Sequence, residues 1–254
     1  SIDRRNEGLK VDFMSHFRPA GAPMAQGEDP KRNRLLAALS DTDWERWRPR
    51  LECVDLTRGQ VLHEPGRLRR HAYFPTSAVV SLLCTVASGA SSEIAVVGNE
   101  GVVGISLVLG ADSTTNGSAV LIAGRGFRIG AQAIQDEFDR SEAVRRVLLR
   151  YIQALATQIA QTVICNRHHS VEQQLCGLLL HSLDRLQDSE VVVTQELIAS
   201  RLGVRRESVT AAASRLQAAG LIHQARGHVA VLDRAGLERR CCECHAVVKA
   251  EYDR

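Results

Sequence analysis

The segment from Thr194 to Leu216, TQELIASRLGVRRESVTAAASRL, constrains this chain more than any other. Ala199 is small enough for a second helix to cross closely over the first. Gly203, four residues on, can take the positive φ of a tight turn without steric cost. Val209 gives an apolar contact on the inner face of the second helix, and Ile198, Leu202, Val204 and Leu216 complete the buried side. Thr194 suits the N-cap of the first helix, with Gln195 beside it. The outward face of the second helix then carries Arg205, Arg206, Glu207, Thr210 and Ser214. A helix-turn-helix delivers side chains of this kind to base edges and phosphates in the DNA major groove. An ordinary helical hairpin needs a small residue and a turn as well.

The residues beyond Leu216 favour the DNA-reading form. Leu221–Gln224 and Val229–Leu232 flank Arg226, Gly227 and His228, the pattern of a two-stranded hairpin and hence of a wing. Arg226 at its tip is expected to touch the phosphate backbone, the alternative being a solvent-facing turn. Between Thr194 and His228 there are five arginines against two glutamates, although the net charge of the whole chain is only +3. Phosphate binding responds to such local excess more than to the sum.

A chain of 254 residues with 44% hydrophobic and 24% charged content has room for two ordinary globular domains. No apolar run reaches membrane-spanning length, and the first residues lack a signal-peptide pattern, so no membrane partner is expected. Seven cysteines do not make a secreted disulfide framework, which points to the cytoplasm.

The texture of the chain divides it into four segments. Residues 1–34 are polar, without apolar periodicity, and read as a disordered tail. Residues 35–137 hold short helices around Arg34–Leu39 and Trp44–Arg50. After them come short Val-, Ile- and Leu-rich runs separated by Gly, Pro, Asn and Ser: an antiparallel β barrel or jelly roll, with NEGVVG among its strands. Residues 138–166 read as one long helix whose stripe of Leu148, Ile152, Leu155, Ile159 and Val163 is expected to pair with a twin. Packing of that stripe on its own barrel is the alternative. Residues 167–254 form the winged helix-turn-helix domain, opened by a helix marked by Val171, Leu175, Leu178, Leu179, Leu183 and Leu186. The fold class is α+β.

Barrel, long helix and winged helix-turn-helix in this order resemble the Crp/Fnr family of bacterial transcription regulators, and LGVRRESVTAAASRLQAAGLI resembles its recognition segment. The resemblance implies a homodimer on double-stranded operator DNA, with RNA polymerase as a further partner if it activates. It implies that Arg206 reads a guanine edge and Glu207 a cytosine amine. Two departures narrow this readout: Arg205 replaces the usual Ser or Thr cap, and Ala211 stands where many members carry a second base-reading Arg. In members that bind cyclic AMP, a Gly-Glu pair and a later Arg-Ser/Thr-Ala hold the nucleotide. Here Gly104 is followed by Ile105, and Ser118-Ala119 is preceded by Gly117. The barrel is thus cyclic-nucleotide-binding-like, with no cation expected for an anionic nucleotide.

No enzyme activity, catalytic residue or cofactor is assigned. No cysteine before Cys53 could hold the iron–sulfur centre of oxygen-sensing members. The CCECH run (Cys241, Cys242, Cys244, His245) has the donor types that zinc favours, and a thiol- or zinc-responsive regulator is the alternative it supports. Leu237, Cys241, Cys244 and Val248 recur at helical spacing, however, which makes two of these cysteines core positions and the metal reading secondary. His63 and His71 lack the His-x-His spacing that a cupin-like metalloenzyme, the remaining alternative, would show.

Overall fold

A computed structural model describes residues 28–87, 91–111, 113–185, 190–191, 193–225 and 228–254. Seven strands build the N-terminal domain: β1 (Glu52–Leu56), β2 (Val61–His63), β3 (His71–Pro75), β4 (Val79–Thr85), β5 (Ser91–Val97), β6 (Asn116–Ile122) and β7 (Gly124–Gly130). They pair antiparallel in two sheets, β1-β7-β3 and β2-β6-β4-β5. Buried Leu56 of the first sheet packs with Val80, Val97 and Val120 of the second, so the sheets share one core. This is the expected jelly-roll arrangement. NEGVVG is not a strand: Val103 makes an isolated bridge to Tyr73, and the chain then enters a 3-10 turn over Ile105–Leu109. Gly104 is the cause, with a φ of +96° and a position where a Cβ would lie 2.9 Å from His63 Cε1.

Two short helices, α1 (Arg34–Ala37) and α2 (Asp41–Trp47), bury Leu36 and Trp47 in one cluster with Ala72 and Phe74 of β3. The segment expected as a tail is part of the fold at its last residues. Asn33 is fully buried, caps α1 through Oδ1, and donates through Nδ2 to Pro75 O and Gly101 O, both at 2.9 Å. Residues 1–27 of that expected tail lie outside the described residues.

The single helix expected over 138–166 is two helices, α3 (Ala131–Arg140) and α4 (Glu142–His168). Ser141 separates them in an extended conformation and accepts from Val144 N at 3.3 Å, a side-chain cap that starts a new helix without Gly or Pro. The apolar stripe also faces differently from its expected role. Leu148 and Leu155 are buried in the chain's own core with Trp47, Phe74 and Ile134, and Ile152 and Ile159 pack against that core. Only Val163 of the five is open, at 63% exposure, and it shares the free side of α4 with Leu149 and Ile164.

The C-terminal domain starts with α5 (Val171–Leu183), whose Ser170–Gln173 capping box fixes its first turn. Then come α6 (Gln195–Leu202), α7 (Arg206–Ala218) and a small sheet of β8 (Glu190–Val191), β9 (Ile222–Ala225) and β10 (His228–Val231) in the order β8-β10-β9. Leu175, Leu179, Ile198, Val209, Leu216 and Leu237 form its core. Leu186 and the wing-tip Arg226 lie outside the described residues. The helical spacing from Leu237 to Val248 spans two helices, α8 (Arg234–Arg240) and α9 (Glu243–Tyr252), broken at Cys241–Cys242.

The two domains are packed together. Leu197 of α6 sits against Val79, Val96 and Leu121 of the jelly roll. Two nearly dry ion pairs cross the contact, Arg201–Glu93 and Arg185–Glu100, each at 2.7 Å.

Candidate nucleic-acid interface

The helix-turn-helix is assembled as its sequence predicts. Thr194 Oγ1 accepts from Leu197 N at 3.2 Å, so its side chain caps α6. Gly203 ends α6 at a φ of +64°, and its N–H returns to Ser200 O. Ala199, Val209, Ala212, Ala213 and Leu216 are buried where α6 and α7 meet. Small alanines at three of these five positions allow the close crossing. Thr210 Oγ1 donates to Gln195 Oε1 at 2.7 Å, and Gln195 Nε2 donates to Gln224 Oε1 at 2.8 Å. These two expected DNA contacts thus tie α6, α7 and the wing strand to one another, which orients them.

Arg205, Arg206, Glu207 and Ser214 are exposed on α7 and its cap. Among the described residues none of these side chains has a hydrogen-bond or ion-pair partner. Arg205 is the N-cap of α7 but offers no side-chain cap, so the first N–H groups of that helix point outward beside an exposed guanidinium. Helix N-terminus and cation together favour an anionic oxygen there.

The local excess of arginine divides by task. Arg201 is buried and bound to Glu93, whose other oxygen accepts from Ser81 Oγ at 2.5 Å. Arg215 donates to Glu172 at 2.6 Å, and Arg240 reaches the same carboxylate at 2.9 Å. The Arg215 hydrogen bond holds the Glu172 carboxyl below its ordinary range. Within the described part of the basic run, Arg205 and Arg206 are left exposed with no side-chain partner. Arg201 and Arg185 are the residues the sequence reading missed; their partners lie 108 and 85 residues away, beyond any local signal.

In the jelly roll the buried Arg69 donates to Ser106 Oγ at 2.5 Å, to Asn116 O at 2.9 Å and to Thr114 Oγ1. These bonds brace the loop between the 3-10 turn and β6 from within. Beside it lies a cleft of about 300 Å³ lined by His63, Glu64, Arg67, His71 and Tyr73. His63 donates from Nε2 to His71 O at 2.9 Å and accepts at Nδ1 from Ser118 Oγ at 3.2 Å. Burial lowers its pKa to about 4, which keeps the ring neutral.

The CCECH run is dispersed rather than gathered. Cys241 Sγ faces Gln173 O at 3.9 Å, His245 Nε2 donates to Asp184 Oδ2 at 2.8 Å, and Cys242 and Cys244 turn toward Cys165 and His169.

The chain thus joins a jelly roll through a long helix to a helix-turn-helix with an adjoining two-stranded hairpin. Residues 173–240 match the family model of the Crp-like helix-turn-helix domain. No curated protein matches the sequence. Among solved structures, FixK2 from Bradyrhizobium japonicum superimposes with a TM-score of 0.66 at 13% identity, covering 76% of this chain and 98% of its own. A Crp/Fnr-family protein from Eubacterium rectale gives 0.64 at 16% identity, covering 83% of this chain and 98% of its own. The c-di-GMP-responsive global regulator CLP of Xanthomonas campestris gives 0.60 at 16% identity, covering 76% and 100%. The chain therefore has the Crp/Fnr fold and carries a Crp-like helix-turn-helix domain. Among the described residues no helix is long and apolar enough to cross a membrane.

Proposed function

We propose that this protein is a cytoplasmic, homodimeric, sequence-specific DNA-binding regulator that answers a signal received in its jelly roll. The observation that carries the reading is the unpartnered face of α7, where Arg205, Arg206 and Glu207 stand exposed on a rigidly packed helix. Arg206 reads a guanine through its bidentate fork, and Glu207 accepts from a cytosine amine on the same face. Arg205 and the open N-terminus of α7 hold a backbone phosphate, and Arg226 of the wing adds a second backbone contact.

Twofold pairing runs along the free side of α4 through Leu149, Val163 and Ile164. Leu148, Ile152, Leu155 and Ile159 are already taken up by the chain's own core. A dimer doubles the contact and sets two reading heads on one face of the duplex. The signal enters a jelly roll whose phosphate segment lacks the Glu and Arg of cyclic AMP binders, so cyclic AMP is not its ligand. If the protein activates transcription, RNA polymerase is a further partner.

Nuclease footprinting on the promoter regions nearest its own gene tests the reading. A protected, two-lobed site whose affinity falls steeply with salt is the expected result. Salt-sensitive association that protects no site would overturn it.

A further inference from the structure

The sequence separates Cys165 from Cys242 by 77 residues, yet the fold sets their Sγ atoms 3.6 Å apart. Cys244 Sγ lies 3.6 Å from His169 Nδ1. All four donor atoms, three sulfurs and one imidazole nitrogen, fall within 4.8 Å of one another. Zinc–sulfur and zinc–nitrogen bonds of about 2.3 and 2.0 Å make the edges of a tetrahedron about 3.5–3.8 Å long. The two close edges have that length. A four-iron cluster binds each thiolate to a different iron and needs a wider cage.

The surroundings are those of a ligand set. His169 turns Nε2 toward Glu243 Oε1 at 3.5 Å, an outer carboxylate that fixes which ring nitrogen is free to coordinate. Gln174 Nε2 donates to His169 O at 2.9 Å and holds the backbone of that ligand. Cys242 is the N-cap of α9 and Cys244 sits in its first turn, where the helix field favours negative sulfur. Cys242 and Cys244 are buried, at 7% and 5% exposure.

We propose that Cys165, His169, Cys242 and Cys244 bind one zinc(II) ion as a closed, four-ligand structural site. Each thiol releases its proton on binding, and the three thiolates leave the site with one net negative charge at the start of α9. The ion staples the end of α4 to α9 across the junction where the long helix hands over to the DNA-reading domain. Cys241 and His245, although adjacent in sequence, are outside it. The site depends on the fold and not on DNA binding, so either can fail alone.

The full-length protein, prepared under reducing conditions with zinc sulfate supplied, is assayed for bound metal and reloaded with cobalt(II). One zinc per chain and the visible bands of tetrahedral, thiolate-bound cobalt are expected. Cys165→Ser and Cys242→Ser should each lose most of the bound metal, while Cys241→Ser and Cys53→Ser keep it. Should the ligand variants not fold, chelation of the wild-type protein followed by zinc re-addition gives a second reading: a cycle of loss and recovery in near-ultraviolet circular dichroism is expected. A folded wild-type protein without stoichiometric metal overturns the proposal. So do loss in Cys241→Ser equal to that in Cys242→Ser, or iron with sulfide in place of zinc.

Discussion

Arg201, Arg205 and Arg206 sit within six residues in different surroundings. Arg201 is 4% exposed in its side chain and neutralises Glu93 across the domain contact. Arg205 and Arg206 stand free on α7. Replacing Arg206 by Ala should cost about 1–3 kcal/mol on the cognate site and relax preference at one base pair, measured by competition between single-base operator variants. Arg205→Ala should instead weaken cognate and random DNA alike and reduce the salt slope by about one. Equal effects of both changes on all sequences would contradict the division. Arg201→Ala leaves the partly buried Glu93 without its cation, which should cost about 3 kcal/mol in urea unfolding. In the sequence alone the three arginines form one basic patch. Their separation needs Glu93, which only the fold brings to α6.

At the scale of elements, the recognition unit was legible because its signals are local: a cap at Thr194, a small residue at Ala199 and a positive-φ glycine at Gly203 lie within ten residues. The two helix breaks were not. Ser141 and Cys242 interrupt helices without Gly or Pro, and the apolar spacing continues through both in phase, so periodicity alone joins what the caps divide. The orientation of α4 was hidden for a related reason. A 27-residue helix with apolar residues on several sides meets its own core along one of them and leaves another open. That assignment yields a prediction. Val163→Asp, at a position 63% exposed, should leave the protomer folded and shift the protein from dimer to monomer in sedimentation. Leu155→Asp should unfold the protomer itself, because that residue is buried within it. A Val163→Asp protein that remains fully dimeric would place the pairing surface elsewhere. Ser141→Ala removes the cap of α4 and should cost about 1 kcal/mol in thermal or urea unfolding.

At the scale of the molecule, jelly roll and DNA-reading domain behave as one packed body joined by Arg201–Glu93, Arg185–Glu100 and the apolar seat of Leu197. Two histidines tie that body to neutral pH. Burial lowers His63 to about 4 and holds His181 well below its ordinary value of 6.5. The unfolded chain takes up protons near 6.5 while the folded chain does not, so stability is full above that pH. It falls as the pH drops from 6.5 toward 4, for His63 by up to about 3 kcal/mol. Urea unfolding at pH 8, 6 and 5 should show the decline, and His63→Gln should flatten it. A flat wild-type profile would mean that these rings are solvated.

The central claim is that two copies of α7 read DNA together, and selection of binding sites from random duplexes by the full-length protein tests it most directly. An enriched twofold-symmetric motif whose half-site centres lie about 34 Å apart, one turn of the double helix, is the expected result. Recovery of no motif, or of a single unpaired half-site bound by a monomer, would contradict it.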